Sequence, residues 1–193
     1  MKKINTDKID KIKPEDAIPL LLKFRRFLLG KHKPDMFTRV VFTINLIGAI
    51  LLSVWNSLSY LAILMSDFIK ANKGFSVNEI IRINGRNLGF QGQDFLDTIT
   101  QYYFINHFVW IAIFIGIFLL YRKKKSYVFF YFGGFIVHFL LLIFWIGLQY
   151  FIEDVSFFDK LLYAAMLISA MLHLAVFSNR MDKKPAEKEE MVY

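Results

Sequence analysis

Three histidines of the 193-residue chain, His107, His138 and His173, stand inside otherwise apolar stretches. With Asn45, Asn56, Asn106 and Gln149 they are the side chains whose type could do chemistry there. Two histidines at one depth on facing helices can ligate a haem. His138 lies about 16 Å into its stretch at the helical rise, whereas His173 lies roughly 8 Å from the end of its own. His107 is near the opposite end of a third. The depths do not match, so no cofactor and no metal site is expected.

Other chemistries are removed by what the sequence lacks. Cysteine is absent, which excludes disulfides, cysteine zinc sites, thiol catalysis and iron–sulfur clusters. The windows Val40–Ser66, Thr98–Tyr121, Ser126–Ile152 and Leu161–Asn179 contain no Asp, Glu, Lys or Arg. Intramembrane carboxylates mark proton relays and ion sites; without them an ion-coupled carrier and an aspartate-pair protease both lose their machinery. No Gly-x-Ser-x-Gly, His-Glu-x-x-His or phosphate-loop pattern occurs. The run Asn84 to Gly89 reads as turn chemistry. No catalytic residue is assigned, and the reading leans away from an enzyme.

Helix-packing chemistry remains. Asn45, Ala49, Ser53, Asn56 and Ser59 follow one another at three- and four-residue steps. So do Gly134, His138, Leu141, Trp145 and Gln149, and so do Ala165, Ser169 and His173. Small and polar residues on one face let membrane helices approach and bond across, on the order of 1 kcal/mol per bond. Asn45, Ser53, Asn56, Ser59, His138, Gln149, Ser169 and His173 are therefore the candidate packing residues. In a ring of several copies the same residues would line a pore. Phe104, Phe108, Trp110, Phe114 and Phe118 surround another stretch, which is expected to face lipid or an apolar partner. Trp55 and Trp145 are expected to serve packing. Tyr102, Tyr103, Tyr121, Tyr127 and Tyr150 fit an interfacial belt.

These residues need elements to hold them. Apolar residues make up 56% of the chain and aromatics 18%, more than one soluble core of this size can hide. A helix needs about 20 apolar residues to cross roughly 30 Å of hydrocarbon, and the four windows supply that. The runs do not alternate as barrel strands would. The fold class is all-α: a polytopic integral membrane protein with four transmembrane helices, at about 40–65, 102–121, 127–151 and 159–178. The tight turns put helices 2, 3 and 4 side by side as near neighbours in an antiparallel bundle.

Charge sets the orientation. Of 24 Lys and Arg, 19 fall before span 1, in Arg122–Lys125 or after span 4; the other five share their side with seven acids. The positive-inside rule places both termini in the cytoplasm, and the setting fits a bacterial cytoplasmic (inner) membrane. The polar stretch before span 1 is too long for a cleaved signal peptide. The +8 net charge is a topology signal joined to anionic headgroups; nucleic acid is not an expected partner.

Outside the spans, residues 1–37 form a basic arm with an amphipathic helix at about 15–30. Leu20, Leu21, Phe24, Phe27 and Leu28 make its apolar stripe. The cytoplasmic interface is its natural place, with Lys23, Phe24, Arg25, Arg26, Phe27 and Lys31 at the membrane surface. The loop 67–101 carries a capping box at Ser76 and Glu79, a turn at Asn84-Gly85, and Asp94 as the cap of a helix running into span 2. Ser156 caps span 4. The charged tail 180–193 is expected to be unstructured. These features point to a non-catalytic membrane accessory subunit, a scaffold, assembly factor or regulator. Its partners would be the bilayer and either another membrane protein or copies of itself. An oligomeric pore or membrane-disrupting effector is the alternative, and an enzyme of lipid or quinone chemistry is weaker.

Overall fold

The computed structural model describes residues 34–189, together with Pro19, Lys23 and Leu28–Gly30, with side chains up to Phe177. The amphipathic stretch 15–30 lies almost wholly outside the described residues, as do Phe24, Arg25, Arg26, Phe27 and Lys31; Lys23 is exposed.

Every described element is helical: α1 (Met36–Leu64), α2 (Ser66–Lys73), α3 (Val77–Asn87), α4 (Gly92–Tyr121), α5 (Tyr127–Leu140), a π-helical segment (Leu141–Ile146), α6 (Leu148–Glu153) and α7 (Phe157–Glu189). Four of them are long and apolar enough to cross a membrane: α1, α4, α5 with the π segment, and the part of α7 from Phe157 to Phe177. The chain is an all-helical, multi-pass membrane bundle. Ile47, Val54, Leu58, Ile136 and Ile168 stand at least 50% exposed on its flanks, a face that suits hydrocarbon and not water.

Local chemistry sets the ends. Asp35 caps α1 by accepting from Thr38 N at 3.3 Å. Ser76 caps α3 by accepting from Glu79 N at 3.4 Å, which is one half of the expected capping box; the Glu79 carboxylate turns instead to Arg82 and Arg86. Ser156 accepts from Asp159 N at 3.0 Å. Gly74 ends α2 at φ 78°, in the left-handed region that favours glycine.

Several expectations are corrected. Asn84-Gly85 is not a turn: α3 continues to Asn87, and Gly85 is there because a Cβ would meet the Phe95 ring at 2.5 Å. The fourth helix begins at Gly92, with Asp94 in its first turn rather than at its cap. Backbone helix runs to Glu189, through the charged tail expected to lack structure; Met, Lys, Ala and Glu are good helix formers. Span 3 stops at Ile146. Gly147 N bonds Leu142 O across the wide π turn, and Gly147 itself sits at φ 122°.

The arrangement differs too. The aromatic helix α4 does not lie on the outside. It is the hub, packed against α1, α3, α5 and the π segment. Its backbone touches that of α5 where a Cβ on Gly116 would stand 2.6 Å from Tyr131 N. Helix α7 packs its backbone on α1 rather than on its sequence neighbour α5, and Gly48 makes room there for Met166. Only long side chains bridge α7 to α5. The core has two apolar clusters. One gathers Val41, Ile113, Ile117, Tyr131 and Met166. The other gathers Ile63, Phe95, Ile99, Leu142 and Ile146.

Candidate functional site

The interior polar residues form three tiers along α1. At the end bearing the Arg122–Lys125 turn, Thr38 Oγ1 donates to Asp35 Oδ1 at 2.9 Å. Its only proton being used, Thr38 Oγ1 accepts from His173 Nε2 at 3.2 Å. The other ring nitrogen of His173 meets the Tyr127 hydroxyl at 3.4 Å. Asp35 also pairs with Lys123. The Lys123 ammonium, and after it Thr38, hold the Asp35 carboxyl well below the usual carboxylate range against the opposing effect of burial.

The middle tier centres on Asn45. Its Nδ2 donates to Val41 O at 2.8 Å and to Ser169 Oγ at 2.9 Å. Its Oδ1 accepts from the Tyr131 hydroxyl. Ser169 in turn donates to Met166 O.

The third tier touches all four membrane helices, and its proton directions follow from one end. Asn56 Nδ2 donates to the backbone carbonyl of Tyr103 at 3.1 Å, a group that can only accept. Asn56 therefore turns Oδ1 to Asn106 Nδ2, 2.8 Å away. That leaves Asn106 Oδ1 facing His138 Nδ1 at 2.8 Å, so Nδ1 carries a hydrogen. His138 is 1% exposed and the partners of its ring are an amide and a phenol, not a carboxylate, and an unbalanced charge at this depth is costly. His138 is thus neutral, Nε2 has the lone pair, and the Tyr163 hydroxyl donates to it at 3.0 Å. The order is Tyr163 (α7) to His138 (α5) to Asn106 (α4) to Asn56 (α1).

Of the eight candidate packing residues, Asn45, Asn56, His138, Ser169 and His173 enter these tiers. Ser53 does not: its hydroxyl bonds Ile50 O in its own helix. Ser59 lies half-buried near the far end of α1. Gln149 is exposed and bonds Glu153; the π turn and Gly147 swing it off the His138 face. Ala165 is exposed for a different reason, since Met166 and Ala170 carry the contact of α7. Trp55 and Trp145 point outward, at 61% and 39% exposure, against the packing role expected of them. Tyr102 and Tyr127 are buried rather than belted at the interface.

Sequence reasoning missed Tyr131, Tyr163, Thr38 and Asn106 as tier members. A signal existed for one helix: Tyr127, Tyr131, Gly134 and His138 run at steps of four, three and four on one face. His138 and His173 belong to different tiers, anchored to Asn56 and Thr38, about 27 Å apart along α1. They do not converge on one ion, and no group of three metal-ligating side chains occurs among the described residues. His107, the third, bonds Tyr103 O through Nδ1 at 2.6 Å. The tiers can hold helices together in a fixed register. Comparison of the chain with protein-family models, curated proteins and solved structures finds no match.

Proposed function

We propose that this chain is a non-catalytic integral membrane accessory subunit, a scaffold, assembly factor or regulator that works through protein partners in the bilayer. The observation that carries this reading is the fate of the interior polar groups. Asn45, Asn56, Asn106, His138 and His173 are all engaged with other helices. None of them is left as a nucleophile, relay acid or ion ligand. The residues that would have lined a pore, Asn45 and Asn56, face inward to partners in the same chain, which gives the pore reading less support.

The finer architecture belongs to the same proposal. The bundle is antiparallel: positions 38, 45 and 56 of α1 meet 173, 169 and, through the third tier, 163 of α7. Both termini lie in the cytoplasm of a bacterial inner membrane, since 19 of 24 basic residues fall at one end. The stretch at about 15–30 lies in the cytoplasmic interface on anionic headgroups, and leaves the exposed flanks of the spans for a membrane partner or a second copy.

Native mass spectrometry of the tagged protein, released from its own membrane in a mild detergent, tests this. A hetero-complex of fixed stoichiometry is expected. A ring of identical copies with no other subunit would overturn the accessory reading.

A further inference from the structure

At the end of the bundle covered by α3, two cavities adjoin. The outer one holds about 250 Å³ and lies beneath α3, walled by Ala62, Ile63, Val77, Ile81, Phe95 and Ile99. The inner one holds about 60 Å³ and is lined by Asn56, Tyr102, Asn106, Trp110, Asp159 and Tyr163. Tyr103, Tyr150 and Asp154 belong to both. The Tyr103 and Tyr150 hydroxyls meet at 3.3 Å between the chambers.

Two polar groups of this mouth are unfulfilled. Trp110 is 2% exposed and its indole Nε1 has no hydrogen-bond partner. A buried donor without an acceptor is costly, and Trp110 lines the inner chamber. Among the described residues the Asp154 carboxylate has no hydrogen-bond or ion-pair partner. Partial burial, and after it the charge of Glu153, raise its carboxyl above the ordinary range. The nearby Lys160 ammonium is engaged elsewhere, donating to Ile152 O at 2.8 Å and lying over the Phe151 ring. The outer chamber sets apolar walls beside the polar side chains of Ser59 and Asn84.

We propose that this mouth is a binding site for a small amphipathic organic ammonium, its nitrogen held at the Asp154 carboxylate beside the Tyr103 and Tyr150 rings and its apolar part in the chamber under α3. Carboxylate and aromatic faces together select a cation. The apolar walls of the outer chamber select for a hydrocarbon portion, which an inorganic ion lacks. The inner chamber has room for a few waters, each needing about 10–15 Å³. Those waters accept from Trp110 Nε1 and hydrate the inner side of the ammonium. The site does not depend on the accessory-subunit reading, and either can fail alone.

The test uses the full chain in maltoside micelles, with empty micelles as blank. The probe is 2-phenylethylammonium, with neutral 2-phenylethanol of the same shape as control. Calorimetry should show saturable binding of the ammonium, at least tenfold tighter than the alcohol. Asp154→Asn should weaken it about tenfold or more without lowering thermal stability, because that carboxylate holds nothing in the fold. Ile81→Trp, which fills the outer chamber, should also weaken it. With Trp55 and Trp145 replaced by Phe, Trp110 emission should shift on titration. No saturable binding, equal binding of the alcohol, or binding unchanged by Asp154→Asn would each overturn the proposal.

Discussion

Asn106 Oδ1 and His138 Nδ1 lie 2.8 Å apart, and this contact joins two halves of a chain of hydrogen bonds that reaches all four membrane helices. The Tyr103 carbonyl fixes the bond directions as far as His138 Nδ1, and a neutral ring then fixes the Tyr163 bond. His138 is therefore expected as the neutral tautomer with hydrogen on Nδ1. Nitrogen-15 NMR of the protein in bilayers reads this directly, and hydrogen on Nε2 alone would be the wrong result. A double-mutant cycle with Asn106→Leu and His138→Leu should give a coupling of about 0.5–2 kcal/mol, the scale of interhelical bonds in membranes.

The α4–α5 contact rests on Gly116. A Cβ there would meet backbone atoms of Tyr131 at 2.6–2.7 Å, and backbone cannot swing aside as a side-chain tip can. Gly116→Ala should cost about 1–3 kcal/mol. At Gly133 nothing stands within 4 Å of the added carbon, so Gly133→Ala should be neutral or gain up to about 1 kcal/mol from helix propensity. Unfolding in graded denaturing detergent compares the two, and equal effects would contradict the packing described.

Asp35 ties α1 to the Lys123 turn. Its folded carboxyl titrates below its unfolded value, so the stability it adds is fully present above about pH 4 and is lost as pH falls through the folded value. Asp35→Asn should lower stability at pH 7 by about 1 kcal/mol or less, as expected of a half-exposed pair. The gap between variant and parent should close in strong acid. A gap that stays constant with pH would place the stabilisation elsewhere.

Membrane orientation follows from the basic residues. Reporter fusions after Tyr193 and within Lys70–Arg86 are expected on opposite sides, with Tyr193 in the cytoplasm. Both on one side would be incompatible with four spans.

The spans were legible because uncharged apolar runs of this length have few other solutions. The α3 start was legible because Ser76 satisfies a local rule, a serine N-cap. The break at Gly147 was not: a glycine within an apolar run reads as a packing residue, and only the π turn before it forces φ to 122°. Gln149 was misplaced for that reason. Helix α4 was read as peripheral because Phe104 and Phe108 do face outward, at 51% and 61% exposure. Its packing faces carry Ile113, Gly116 and Ile117, which look no different from lipid-facing residues in sequence. The amides and histidines were identified, but their tyrosine partners were not all recognised. A tyrosine hydroxyl suits an interface as well as an interior, and only the partner across the helix gap decides between them.

Ion efflux from liposomes tests most directly whether the interior polar residues tie the bundle shut or line a path. The protein should release no more potassium or protons than empty liposomes do. The double replacement Asn45→Leu with Asn56→Leu should leave efflux at that same background while altering stability by about 1–2 kcal/mol. Robust flux through the unmodified protein, abolished by that replacement as an apolar constriction would dewet a pore, would contradict the account.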